Sequence, residues 1–259
     1  MKIVVIGELC SDIYVYGYCD RLCPEGPVPV FVPTSRVDYR GMAANTYENI
    51  KAMCSEEDDV QLISQFYGRP IIKTRYVDEN SNQILLRIDE EDECNPIQEN
   101  RKLKIISDFY NKADLLIVSD YCKGFLNEQD LIDLSTIAEI SILDTKKRLS
   151  QRVINSFNFV KMNEPEFNKN KNIFEKLSNQ MRGIVTEGSK GVFHMGIQYP
   201  PPEVHQTFDV SGAGDVFTAG FGYNLALGKS VKDSIAAAQQ YCSEVIQKRG
   251  TCVYEKNMD

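Results

Sequence analysis

The chain has 259 residues, 42% hydrophobic and 25% charged, an ordinary globular composition with enough length for one large α/β core. Its 29 basic and 37 acidic residues leave a net charge of −8, which argues against nucleic acid or an anionic membrane as the main partner but leaves room for a small anionic substrate. No apolar run reaches membrane-spanning length, residues 1–7 lack the form of a signal peptide, and the eight cysteines contain no C-x-x-C pair, so free thiols in a reducing cytoplasm are expected.

Residues 2–9 are almost continuously apolar, as in a parallel strand covered on both faces. Gly7 ends that strand and Asp12 follows, beyond a strand's carboxyl end, where open α/β sheets bind ligands. Asp12 can accept hydrogen bonds from a polyol or simply shape a turn. Over 13–39, Tyr14, Tyr16 and Tyr18 alternate, then Val28, Val30 and Val32, with Pro24, Pro27, Pro29 and Pro33 between them. Proline confines such strands to edges, so this stretch reads as a β-ribbon projecting from the main sheet. Gly41-Met42-Ala43-Ala44-Asn45 opens a helix running to about Met53, followed by an acidic loop (54–59) and a short strand (60–64). Residues 73–77 and 83–89 form a second ribbon, with Ile84, Leu86 and Ile88 on one face and Leu85, Arg87 and Asp89 on the other.

The βα rhythm then continues. A helix (98–111) precedes a buried strand (113–119), whose end carries Asp120-Tyr121-Cys122-Lys123-Gly124. Lys123 there is either a ligand contact or a solvent-facing residue before a glycine turn. A helix (127–137), a strand (140–144) and a strand (157–160) lead into Met162-Asn163-Glu164-Pro165-Glu166. As local structure this is a helix start, with Asn163 as cap and Glu166 in the first turn. Strands 183–186 and 192–195 flank a tight turn through Gly188 and Gly191, by itself a hairpin. Helices 212–227 and 230–248 close the core.

The richest stretch is Asp209-Val210-Ser211-Gly212-Ala213-Gly214-Asp215. It reads as a strand end, a turn of small residues and a helix start. With so little side-chain bulk at 211–214, backbone N–H groups can approach a ligand, and the helix adds its positive end, which suits a phosphate or a developing oxyanion. Asp215 stands in the first helical turn. A carboxylate beside an anion site is unfavourable unless it has a task, and removing a proton from an attacking hydroxyl is one. The plainer alternative is an aspartate that favours the helix start.

The string D-x-x-G-A-G-D from Asp209 to Asp215 resembles the signature of the ribokinase-like (PfkB) carbohydrate kinases. Three further stretches are similar to the heptose 7-phosphate kinase branch of that family: P-E-x-P-V-P-V from Pro24, K-x-R from Lys73, and S-D-Y-x-K-G from Ser119. The resemblance implies a mostly parallel central sheet flanked by helices, in a single kinase domain over 1–259 with β-lid segments at 13–39 and 72–90. It implies Asp215 as base and Gly212, Ala213 and Gly214 as anion hole. Asp12, Gly41, Met42 and Asn45 would meet the sugar, Met42 replacing the second glycine of a G-G-x-x-x-N motif. Arg75, Arg87 and Lys123 are the local cations for a substrate phosphate. Asn163 and Glu166 of N-x-x-E, Thr186, Gly188 and Gly191 of T-x-G-x-x-G, and Ser211, Gly212 and Gly214 would serve ATP. Glu166 would organise Mg2+ through water, Asp209 would serve a monovalent cation such as K+, and Arg249-Gly250-Thr251 would lie near the adenine.

Family members carry a further strand and helix after the position of strand 60–64. About one βα unit, roughly 30 residues, is absent here, so a narrower sheet and a homodimer through the β-lid are expected. The implied activity is ATP-dependent phosphorylation of a sugar or sugar phosphate, heptose 7-phosphate being the expected acceptor. A nucleoside or simple-sugar kinase of the same fold, and a catalytically silent nucleotide- or sugar-binding protein, are the alternatives.

Overall fold

The computed structural model describes all residues except 66–69, 111, 176–180, 204–206, 208, 249–252 and 256–259. The Arg249-Gly250-Thr251 motif therefore lies outside the described residues. The first strand, β1 (Lys2–Gly7), runs between two parallel neighbours, β4 (Asp59–Ile63) and β7 (Ala113–Asp120). Beyond β7 the sheet continues in parallel through β8 (Ala138–Thr145), β9 (Phe159–Asn163) and β10 (Gly183–Thr186), and ends in antiparallel β11 (Val192–His194) and β12 (Ile197–Tyr199).

Successive residues of these strands enter opposite cores, which is why the strands are apolar on both faces. Val4, Leu116 and Val118 pack on the side of α2 (Glu99–Phe109), α3 (Glu128–Leu134), α4 (Gln151–Ser156) and α5 (Glu164–Glu175). Ile3, Leu115 and Ile117 pack on the side of α1 (Ala43–Met53), α6 (Ala213–Ala226) and α7 (Val231–Val245).

A second sheet has four strands in the order β3, β2, β5, β6, formed by β2 (Leu9–Leu22), β3 (Pro29–Met42), β5 (Ile71–Asp78) and β6 (Ile84–Glu90). The two expected ribbons are joined by parallel pairing of β2 with β5. Pro29 and Pro33 lie in β3, an edge strand, where a missing N–H leaves no gap in the ladder. This sheet grows directly out of the main one, since only Glu8 separates β1 from β2. Gly7 makes that exit possible: a Cβ there would lie 2.0 Å from the Ser119 carbonyl oxygen.

Several boundaries differ from the sequence reading. Helix α1 starts at Ala43, because Gly41 and Met42 finish β3. The strand expected at 157–160 is β9 at Phe159–Asn163, because α4 runs to Ser156 and the ladder with β8 begins only at Phe159. The strand expected at 192–195 stops at His194, and a turn at Met195 and Gly196 (φ 50 and 78) returns the chain as β12. From β4 at the sheet edge the chain passes to β5, with no helix among the described residues between Met53 and Glu99.

Candidate active site

The carboxyl ends of β7, β8 and β9 meet the first turn of α6 around a cavity of about 170 Å3. Asp209 fixes the approach to α6 by accepting the Ser211 N–H at 2.8 Å, and Gly212 turns the chain with φ 82, a left-handed conformation that suits glycine. Among the described residues the N–H groups of Gly212 and Gly214 have no protein acceptor, while those of Ala213 and Asp215 bond back to Val210 and Gly212. Gly212 and Gly214 line the cavity, so two free amides and the positive end of a 14-residue helix converge there.

Asp215 lines the same cavity and is 4% exposed. Its Oδ2 accepts Asn45 Nδ2 at 3.0 Å, and its Oδ1 accepts the Tyr121 hydroxyl at 2.8 Å and the Thr46 hydroxyl at 3.4 Å. Burial pushes the carboxyl up to about 6, helped by the charge of Asp144 and opposed by the Asn45 and Tyr121 donors and by Lys161. A buried carboxylate titrating near neutrality is what a general base requires. The Tyr121 phenol is held well above its usual value by burial and by the Asp215 charge, so it acts as a donor.

Besides Asp120 and Tyr121, which the sequence reading met only inside the S-D-Y-x-K-G motif, three further side chains of this site were not singled out by it. Asp144, at the end of β8, pairs with Lys161 Nζ at 3.0 Å and accepts the Thr218 hydroxyl at 2.8 Å. Lys161 lies under the α6 turn, since a Cβ on Gly214 would be 3.0 Å from its Nζ. Burial alone would lower this ammonium, but Asp144 keeps it above the usual lysine value. Lys146 also lines the cavity, its Nζ 4.2 Å from the centre of the Tyr121 ring. A charge inside the apolar run Phe159-Val160-Lys161-Met162, and an aspartate at the end of a parallel strand, were the available signals.

Asn163 and Glu166 face the cavity from the start of α5 and hold each other reciprocally: Glu166 Oε2 accepts the Asn163 N–H and Asn163 Oδ1 accepts the Glu166 N–H, both at 2.8 Å. Glu166 Oε1 has no protein donor among the described residues. Thr186 stands opposite Asn163 in the β9–β10 ladder, with Gly188 and Gly191 in the turn beyond it. Gly191 is required there, because a Cβ would fall 2.1 Å from the Tyr199 carbonyl oxygen. These residues fit a nucleoside triphosphate with Mg2+: free amides for phosphate oxygens, and a carboxylate oxygen for a hydrated cation that needs few protein ligands. Among the described residues no group of three or more His, Cys, Asp or Glu is arranged to hold a metal by itself.

On the other side, Gly41 admits the Asp12 carboxylate against the backbone, since a Cβ there would lie 2.0 Å from Asp12 Oδ2. Met42 adopts φ 58 and ψ −134 at the start of α1, a glycine-like conformation held by its burial at 3% exposed. Asn45 reaches Asp215. Each of the three expected phosphate-binding cations already has a carboxylate partner: Arg75 with Asp12 at 2.6 Å, Arg87 with Asp89 at 2.7 Å and Lys123 with Asp92 at 2.5 Å. None of the three lines the cavity. Asp209 Oδ2 lies 3.5 Å from the Tyr14 hydroxyl, which links β2 to the α6 turn.

A family model described as pfkB family carbohydrate kinase matches residues 75–257. Among curated relatives, Bifunctional protein HldE of Campylobacter curvus is 26% identical over 294 positions, covering 97% of this chain and 62% of that protein. Bifunctional protein HldE of Nitrosococcus oceani is 28% identical, covering 96% of this chain and 61% of that protein. The chain thus spans less than two thirds of these relatives. Among solved structures, Thermotoga maritima ribokinase superposes with a TM-score of 0.71 at 16% identity, covering 96% of this chain and 94% of that one. Arabidopsis thaliana ribokinase complexed with ribose and ATP gives 0.68 at 19%, covering 96% and 93%, and Escherichia coli phosphofructokinase-2 in complex with potassium gives 0.71 at 15%, covering 98% and 94%. At these identities the structural likeness is one of fold, and the fold is ribokinase-like.

Proposed function

Since the chain belongs to the pfkB family of carbohydrate kinases, we propose that it transfers the γ-phosphoryl group of ATP to a hydroxyl of a phosphorylated sugar, with heptose 7-phosphate as the acceptor. The observation that carries this reading is Asp215, a buried carboxylate raised to about 6 beside two free amides. Asp215 takes the proton of the attacking hydroxyl. Gly212 and Gly214 donate their N–H groups to the oxygens on which charge develops, and Lys161 adds a fixed positive charge beneath them. Asn163 and Glu166 would hold Mg2+ through water, and the ion when bound neutralises charge on the phosphates.

The acceptor class draws support from the HldE relatives and from the resemblance of the β-lid segments. Asp209 is our candidate for a monovalent cation site; omitting K+ in favour of a large organic cation would leave turnover unchanged if it is not one. The exposed apolar residues Ile84, Leu85, Leu86 and Ile88 of β6 favour pairing of two copies through the lid, and a monomer in sedimentation at working concentration would refute it. ADP release across a panel of sugars and sugar phosphates tests the acceptor class. Phosphorylated sugars are expected to turn over with the highest kcat/KM, and a preference for nucleosides or phosphate-free sugars would replace this reading with another kinase of the fold.

A further inference from the structure

We propose that Lys73 and Lys146 clamp a phosphate monoester carried by the acceptor sugar, over the ring of Tyr121 and next to Asp215. This deepens the acceptor class proposed above and rests on it. Lys73 comes from β5 and Lys146 follows β8, and their Nζ atoms lie 5.7 and 4.2 Å from the centre of the Tyr121 ring. The hydroxyl of that same ring bonds to Asp215 at 2.8 Å, so the two ammonium groups and the base share Tyr121 as a neighbour.

Charge pairing singles these two out. Arg75, Arg87, Lys123, Lys147 and Lys161 each have a carboxylate partner. Among the described residues Lys73 and Lys146 have no carboxylate within ion-pair distance, and both lie against the Tyr121 ring. Lys73 is only 9% exposed, and the aspartates opposite it in the ladder, Asp12 and Asp89, are already engaged by Arg75 and Arg87, so an anion that joined Lys73 would give it an ion pair of its own. The two ammonium groups also act on each other: partial burial and the charge of Lys73 hold Lys146 below the usual lysine value, against the opposing charges of Glu166, Asp144 and Asp215. A dianionic phosphate with three terminal oxygens can accept from both at once and relieves both penalties.

The position favours the sugar's phosphate over the nucleotide's. Lys73 belongs to the second sheet, in register with Asp12 on β2 and Asp89 on β6, whereas Asn163, Glu166 and Thr186 lie at the ends of the main sheet's strands; Lys146, which follows β8 and lines the cavity with Asn163 and Glu166, stands between the two sides.

Lys73→Met and Lys146→Met, each close in shape and uncharged, test the clamp. Calorimetry without nucleotide would compare heptose 7-phosphate with the phosphate-free heptose. Each variant is expected to lose at least tenfold in affinity for heptose 7-phosphate and less than threefold for the free heptose, with the KM for ATP within threefold of wild type. Lys146→Arg, which keeps the charge, is expected to stay within threefold, and thermal midpoints would verify folding. Equal losses for both sugars, or a loss directed at ATP, would overturn the clamp. A wild type that prefers the free heptose, or binds neither sugar, removes the acceptor class itself. A wild type that prefers heptose 7-phosphate, with variants that do so equally, removes only this clamp.

Discussion

The Tyr121 hydroxyl donates to Asp215 Oδ1 at 2.8 Å, tying the end of β7 to the first turn of α6. Glu8 holds the β7 side of this link in place, its carboxylate accepting the N–H groups of Tyr121 at 2.8 Å and Lys123 at 2.9 Å. The bond is one of the contacts that keep the buried Asp215 from rising further than about 6. Removing it by Tyr121→Phe deletes a donor to the charged form, so the Asp215 carboxyl must rise. The acid limb of kcat/KM is expected to move upward by about one pH unit, the size of a lost hydrogen bond to a charged group. A pH–rate profile with an unmoved limb would contradict the coupling.

Asp215 also sets a pH dependence of stability, opposite in sign to that of a salt-bridged carboxylate. Its carboxyl is raised from an ordinary 3.8 to about 6 in the folded chain. The folded state therefore binds the proton more tightly, and stability from this group is full below pH 3.8 and lost as pH rises through 6. Asp215→Asn should accordingly stabilise the chain at pH 8, by about 3 kcal/mol at most, and add nothing at pH 3.5. Thermal midpoints at the two pH values check this; equal shifts at both would refute it.

Gly214→Ala separates the cradle from the fold. Its Cβ would lie 3.0 Å from Lys161 Nζ, so the Lys161–Asp144 pair need give by only a few tenths of an ångström, a cost that alanine's helix preference offsets. The thermal midpoint is expected to change little while kcat falls on the order of a hundredfold, the scale of losing one aligned donor or charge. Loss of folding, or full activity, would show that this glycine serves packing or nothing.

The Lys161–Asp144 pair is largely buried, with side-chain exposures of 7% and 15%. Removing one partner strands the other. Lys161→Met alone should therefore destabilise the chain by about 3 kcal/mol, and Lys161→Met with Asp144→Leu should recover at least half of that without restoring turnover. A double-mutant cycle by denaturant unfolding measures it, and purely additive losses would refute the pairing.

The two-sided strands were legible because continuous apolar runs bounded by turns have few other uses, and the α6 turn was legible because consecutive small residues before an aspartate are scarce. Lys161 was missed because the strand was expected to end at Val160, one residue short of it. The joining of β2 and β5 is a parallel pairing of segments about 60 residues apart, and alternation within each carries no mark of its partner. Strand-end position alone pointed to Lys123, but Cys122 takes φ 60 and the chain turns Lys123 toward Asp92. Which cations stay unpaired is settled by tertiary packing, so Lys73 and Lys146 emerged only from the structure.

The central claim is that Asp215 removes the acceptor's proton, and ADP release by Asp215→Asn at saturating ATP and sugar phosphate tests it most directly. At least a thousandfold loss of kcat is expected, with ATP affinity within threefold of wild type. Turnover equal to wild type would contradict the account.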